Sequence, residues 1–322
     1  EALAEEACDS AGIFRGVQLL HHERATYTKK LVGRGDFLEL IEDGTPMMEL
    51  LEGLGIPTTY SDSAVIAVCG DQVGPMSDEE IRALLQKNLL LEGNAASILH
   101  ERGFGPQIGL EAISGPLYLD DIEAVSSEEF HNIEFGGAEK RFLTVTVPTI
   151  SDRPYVYTCK LAADAITISS IVNFDLERRH VGMYAFENKS GGRIVTHLFE
   201  LATSFGVAFM HPHRLEQYQA AVRWLYRGSV PIIVQGAVYP LAFRKDLGSS
   251  SLMGFFNLTL DQSAELRFEC FDTRTVESIE TLTAIGQWIA DTRLSWETAS
   301  DHLVISFNGK CRFEEPLFMR VC

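Results

Sequence analysis

Between Ala64 and Gly109 the spacing of the hydrophobic positions changes from strand-like to helical and back. Ala64–Cys69 (AVIAVC) is continuously apolar, over a length that suits a strand covered on both faces. Ser77 stands three residues before Glu80, the spacing of a capping box, and Ile81, Leu84 and Leu85 then share one helical face. Leu89-Leu90-Leu91 reads as the next strand and Glu92-Gly93-Asn94 as a turn. Asn94 is placed to cap a helix over AASILHER that stops at Gly103. Strand–helix units joined by short links predict right-handed parallel crossovers, the grammar of an open α/β sheet. Upstream, Gly12–Leu20 (GIFRGVQLL) is a single strand candidate, and Thr45-Pro46 opens a helix that Gly53 and Gly55 stop.

The helical period fades at Pro116. Residues 117–187 instead carry β-type runs such as KRFLTVTV, PYVYTCKL and ITISSIVNF, separated by turn signals at Gly136-Gly137 and Ser151-Asp152-Arg153-Pro154. GGRIVTHL (191–198) returns to a buried strand. His213–Arg227 follows as an amphipathic helix, with Leu215, Tyr218, Ala221, Val222, Leu225 and Tyr226 on its apolar stripe. About nine further β runs lie between Ile232 and Val321. The pattern predicts an α/β domain over 1–238 with a β-rich insertion at about 117–187, then an antiparallel β-sandwich over 239–322.

Composition narrows the options. A length of 322 residues exceeds a typical single core and fits two domains. Lys and Arg total 27 against 45 Asp and Glu, a formal charge of −18, and no long basic cluster offsets it, so nucleic acid is not an expected partner. No apolar run approaches a membrane span. Six scattered cysteines without a CxxC point to reduced thiols and a cytoplasmic setting. The first residue is Glu1, which suggests a chain cut from something longer.

Several positions could carry chemistry. Cys69 ends a strand, as a nucleophile can, but no elbow motif surrounds it, and a buried structural thiol is the expectation. Glu92 occupies the sharp strand-to-helix turn where an amidotransferase would hold its nucleophile, which makes it a candidate for ligand or interface contact instead. His21, His22 and Glu23 sit just past a strand end, where open sheets gather ligands. His211-Pro212-His213-Arg214 stands at a helix entry behind Phe205 and Phe209; aromatics beside His and Arg suit a sugar face, and equally a helix entry packed on the core. Trp224, Trp288 and Trp296 are expected to pack. Asp120-Asp121, Glu128-Glu129 and Glu314-Glu315 are read as solvated acids, because neighbours in sequence do not give the facing carboxylates of a glycosidase. Neither cofactor nor metal is expected.

LLEGLGIPTTYSD, MSDEEIRALL and LLLEGNAASILHERGFGPQIGLE resemble the middle region of certain bacterial glycoside hydrolase-like proteins. That region is similar to the trimerisation domain of family 42 β-galactosidases, which has a class I glutamine amidotransferase-like (flavodoxin-type) fold and no amidotransferase activity. GGRIVTHLF, AVRWLYRG and LMGFFNLTLDQSAELRFECF likewise resemble the close of that domain and the β-sandwich tail behind it, with Asn257-Leu258-Thr259-Leu260-Asp261 in place of the tail's N-L-S/T-x-D run. The resemblance implies homo-oligomerisation, carbohydrate as ligand, and catalytic carboxylates on an N-terminal barrel that this chain lacks. Its expectation is a non-catalytic part that supports a sugar site. A stand-alone carbohydrate-binding module and an amidotransferase-like hydrolase using Cys69 are the alternatives.

Overall fold

The computed structural model describes residues 12–20, 30–34, 37–41, 45–68, 72–118, 125–139, 141–144, 155–199, 211–237, 240–257, 262–299, 301–312 and 315–322. His21, His22, Glu23 and Cys69 lie outside them. Strands in several sheets dominate, with few helices among the described residues. The chain divides into two units, one of residues 1–18, 51–63 and 222–322, the other of 19–50 and 64–221.

The apolar run at 12–20 forms two short strands, β1 (Ile13–Arg15) and β2 (Val17–Leu19), rather than one. The break is at Gly16, which lies so close to the Pro57 carbonyl that a Cβ would sit 2.3 Å from its oxygen. An antiparallel hairpin, β3 (Lys30–Arg34) and β4 (Phe37–Ile41), comes before helix α1 (Thr45–Gly53), which starts at the expected Thr-Pro pair. β5 (Thr58–Thr59) pairs in parallel with β2.

Then comes the stretch with the clearest pattern: β6 (Val65–Val68), helix α2 (Asp78–Leu84), β7 (Asn88–Glu92) and helix α3 (Gly93–Leu99). The capping box forms as predicted. Ser77 Oγ accepts from the Glu80 amide at 3.3 Å, and the Glu80 carboxylate accepts from the Ser77 amide at 2.6 Å. The cap of α3 does not match the expectation. Glu92, not Asn94, takes the N-cap position, and Asn94 lies inside the helix, where its Oδ1 accepts from the Tyr157 hydroxyl at 3.4 Å.

The β-rich run supplies β8 (Leu110–Tyr118), β9 (Val125–Phe130), β10 (Phe142–Thr144), β11 (Tyr155–Leu161), β12 (Ile166–Asn173) and β13 (Arg178–Glu187). β8 and β11 form a two-stranded antiparallel pair. The others extend the main sheet instead of standing apart from it. β14 (Arg193–His197) joins β7 in parallel on one side and β13 antiparallel on the other. Within the second unit the order is β10-β9-β12-β13-β14-β7-β6. Three strands, β6, β7 and β14, run parallel, and the remaining four form an antiparallel wing. Leu89, Leu90, Leu91, Ile194 and Val195 are fully buried, as central strands covered on both faces require. Helix α4 (Pro212–Leu225) follows.

The first unit closes on two antiparallel sheets built from β1 and from β15 (Ile233–Gln235), β16 (Pro240–Leu247), β17 (Ser250–Asn257), β18 (Ser263–Phe271), β19 (Ile279–Leu282), β20 (Trp288–Ala290), β21 (Leu294–Ala299), β22 (His302–Cys311) and β23 (Leu317–Val321). Their orders are β1-β16-β17-β23-β19-β20 and β15-β18-β22-β21. Met253, Phe255 and Met319 from one sheet share a core with Phe268, Leu303 and Ile305 from the other, and the Phe255 and Phe268 rings meet edge to face at 6.2 Å. Strict alternation along β22, with Leu303, Ile305 and Phe307 inward, keeps that core apolar.

Candidate functional site

Parallel strands β7 and β14 end side by side, Glu92 opposite His197 in register. Strand ends of this kind are where open sheets hold ligands. Both residues are fully buried. Gly93 makes the close packing here possible, since a Cβ on it would sit 2.4 Å from the Tyr157 ring and 2.7 Å from the Leu198 carbonyl oxygen.

The wing contributes the next layer. Glu128 on β9 and Ser169 on β12 share one face, and Ser169 Oγ donates to Glu128 Oε1. Arg214, in the first turn of α4, grips the same carboxylate with both terminal nitrogens, at 3.2 Å to Oε1 and 2.5 Å to Oε2. It also donates to Gln217 Oε1 at 2.6 Å, and its guanidinium lies 4.9 Å from the centre of the Phe130 ring. His197 Nε2 stands 3.9 Å from Glu128 Oε2, and its Nδ1 is 2.7 Å from the Tyr218 hydroxyl. Arg214, Glu128, His197, Tyr218 and Ser169 are all without solvent exposure. Gly182 on β13 leaves room for the carboxylate, because a Cβ there would meet Ser169 Oγ at 2.9 Å and Glu128 Oε1 at 3.0 Å.

These contacts set the charge states. Burial works to raise the Glu128 pKa, but the Arg214 guanidinium overrides it and holds the carboxyl well below its usual range. Burial, helped by the Arg214 charge, pushes His197 down to about 4, so the imidazole is neutral at pH 7. Burial raises the Tyr218 hydroxyl as well. The Ser169 hydroxyl therefore faces a carboxylate too weakly basic to activate it. The cluster is a bound ion pair with a neutral histidine beside it, suited to locking the wing onto α4.

Of the residues expected to form a site, the structure joins Glu92 to this cluster through the strand register with His197. His211 and His213 stand half-exposed at the head of α4, their rings 4.7 Å apart, and His213 meets Phe130 edge-on at 6.4 Å. Burial, with the charge of Arg141, lowers the His213 pKa. Glu128 corrects the reading of Glu128-Glu129 as solvated: Glu128 is buried under Arg214, while Glu129 on the opposite face pairs with Arg178 at 2.7 Å. Trp224 and Trp288 are half-buried, whereas Trp296 is exposed on edge strand β21. The sequence marks Arg214 only beside His211 and His213, Tyr218 only as part of an apolar stripe, and Ser169 and His197 not at all as site residues. One signal was available for His197: it ends a buried strand as Glu92 does. Among the described residues, no three His, Cys, Asp or Glu side chains gather to hold a metal, and no helix is long and apolar enough to cross a membrane.

No family model and no curated protein matches the chain. Among solved structures, α-L-fucosidase isoenzyme 2 from Paenibacillus thiaminolyticus is similar over 99% of this chain and 50% of its own, with a TM-score of 0.67 at 10% identity. A β-galactosidase from Bacillus circulans sp. alkalophilus aligns over 82% of this chain and 37% of its own, with a TM-score of 0.45 at 11% identity. Gan42B, a GH42 β-galactosidase from G. stearothermophilus, aligns over 82% and 36%, with a TM-score of 0.43 at 9% identity. The chain spans about half the length of the fucosidase, and at 10% identity their likeness is one of fold.

Proposed function

We propose that this chain is the non-catalytic part of a glycoside hydrolase-like protein. On this reading, the second unit is a flavodoxin- or amidotransferase-like sheet that serves self-association and supports a sugar site completed by a catalytic barrel outside this chain. The observation that carries it is the fit of nearly the whole chain onto about half of a fucosidase. The enclosed Glu128–Arg214 pair adds support, because an ionised carboxylate sealed beneath an arginine is placed to hold elements together and not to reach a substrate. His211 and His213, half-exposed at the head of α4, are the residues through which the chain would touch sugar, and Glu92 would act through the strand end.

Two measurements on the isolated chain test this. Aryl α-L-fucosides and β-galactosides should be turned over no faster than in buffer, and sedimentation should show concentration-dependent self-association. Turnover that fast alkylation at Cys69 abolishes would replace the proposal with a hydrolase. A monomer that binds oligosaccharide saturably would replace it with a binding module.

A further inference from the structure

In the first unit, β1 pairs with β16 so that Arg15 lies directly opposite Arg244. Like charges in that position repel. Asp246, on the same strand as Arg244, relieves the conflict by standing between them: Arg15 Nε donates to its Oδ2 and Arg244 Nε to its Oδ1, both at 2.8 Å. Ser251 adds a hydroxyl to Asp246 Oδ1 at 2.6 Å. Arg244 is buried, and its other nitrogens donate to the Pro231 and Phe271 carbonyls at 2.9 Å and to Asp272 at 3.0 Å. Arg274 closes side-on over Asp272, Nε to Oδ1 at 2.9 Å and Nη2 to Oδ2 at 2.6 Å, and Nη2 also donates to Ser251 at 2.6 Å.

Three guanidiniums thus converge on two carboxylates. The described contacts of these arginines include no third carboxylate. The inner part is saturated, with Arg244 and Asp272 side chains 6% and 3% exposed. The outer part is not. Arg15, 41% exposed, gives only Nε to the cluster, so the fork of its two terminal nitrogens is uncommitted. Arg274, 28% exposed, keeps Nη1 uncommitted. Both outer arginines are tied in place through Asp246 and Ser251, so their donors are ordered before any ligand arrives. A planar fork matches the oxygens of a carboxylate or phosphate. The excess positive charge sits in a chain of net charge −18, where a general attraction for anions is absent.

We propose that Arg15 and Arg274, braced by Arg244 and the two aspartates, form a binding site for an oxyanion group, the carboxylate or phosphate of a small molecule. This site is separate from the Glu128 cluster and does not depend on the function proposed above.

The test is calorimetric titration of the full chain with inorganic phosphate, with glucuronate and with uncharged glucose, at constant ionic strength. Either anion, or both, should bind saturably at one site, glucose should not, and the tighter anion identifies the source of the oxygens. Arg15→Gln should weaken anion binding by about tenfold or more, the loss expected for one charge-assisted contact. Asp246 keeps Arg244 and Ser251 in that variant, so the fold is retained, and thermal unfolding checks it. Arg82→Gln, on the exposed face of α2, is the control and should bind as the wild type does. Equal affinity in wild type and Arg15→Gln, equal binding of glucose and glucuronate, or no saturable heat with either anion would each overturn the proposal.

Discussion

Two charge clusters among the described residues are balanced differently. In the second unit a single carboxylate, Glu128, meets a single guanidinium, Arg214, with a neutral His197 beside them and no solvent contact. In the first unit Arg15, Arg244 and Arg274 share Asp246 and Asp272, and exposure rises outward from Arg244 to Arg15. Burying an ion costs several kcal/mol unless a partner and further hydrogen bonds offset it, so a sealed cluster has to balance its charges. A cluster with one edge in water can keep an extra cation solvated. The comparison teaches that burial alone does not mark a binding site. Of the two clusters, the one in the first unit is the one that keeps uncommitted arginine donors at a solvent-facing edge.

The largest expected effect falls on the sealed cluster. Glu128→Ala takes the carboxylate away from the buried Arg214 guanidinium and should cost about 3–5 kcal/mol of stability in urea unfolding. Replacing both partners, Glu128→Leu with Arg214→Met, should recover most of that loss. A double variant as unstable as the single one would mean that the ion pair is not the reason for the cost.

Arg244→Ala should come next, at about 2–4 kcal/mol, because it strips four contacts from Asp246, Asp272 and the Pro231 and Phe271 carbonyls. Gly182→Ala should follow at about 1–3 kcal/mol, by crowding Ser169 and Glu128, with the same unfolding assay as its readout.

A pH series separates the clusters further. His197 titrates near 6.5 when unfolded and at about 4 when folded, so the unfolded chain takes the proton first. Its contribution is complete above pH 6.5 and is lost as the pH falls toward 4, at up to about 1.4 kcal/mol per pH unit. His197→Gln should flatten that part of the stability–pH curve relative to wild type. An unchanged curve would mean the imidazole is not held neutral. The smallest effect on stability belongs to Arg15→Gln, a partly exposed pair worth at most about 1 kcal/mol. If that variant unfolded as readily as Arg244→Ala, Arg15 would be structural and the open edge would lose its meaning.

Local features were legible in the sequence. The Ser77–Glu80 box, the Thr45-Pro46 helix start and the apolar strands at Val65 and Leu89 depend on residues within a turn or two of each other. The β-rich character of 117–187 was legible for the same reason. What it joins was not, because alternation marks a strand and not its neighbour, and β13 pairs with β14 in the main sheet. The expected cap at Asn94 stands two residues too late, because β7 continues to Glu92, which caps a helix that begins at Gly93. Glu128 was misread because its partner lies 86 positions away and nothing near it in sequence signals burial. The Arg15–Asp246 contact spans 231 positions and was equally out of reach.

The switch in direction at β14 also governs how the sheet is assembled. β14 pairs in parallel with β7 across roughly a hundred intervening residues, while β12, β13 and β14 follow one another as antiparallel neighbours. Closing that long loop costs entropy before any hydrogen bond between β7 and β14 can form. The antiparallel wing shortens the search, since each of its hairpins closes locally and brings β14 nearer as part of an ordered edge. Disruption of the β12–β13 hairpin should therefore slow the arrival of the native state more than it speeds departure from it, as a folding and unfolding rate comparison would show.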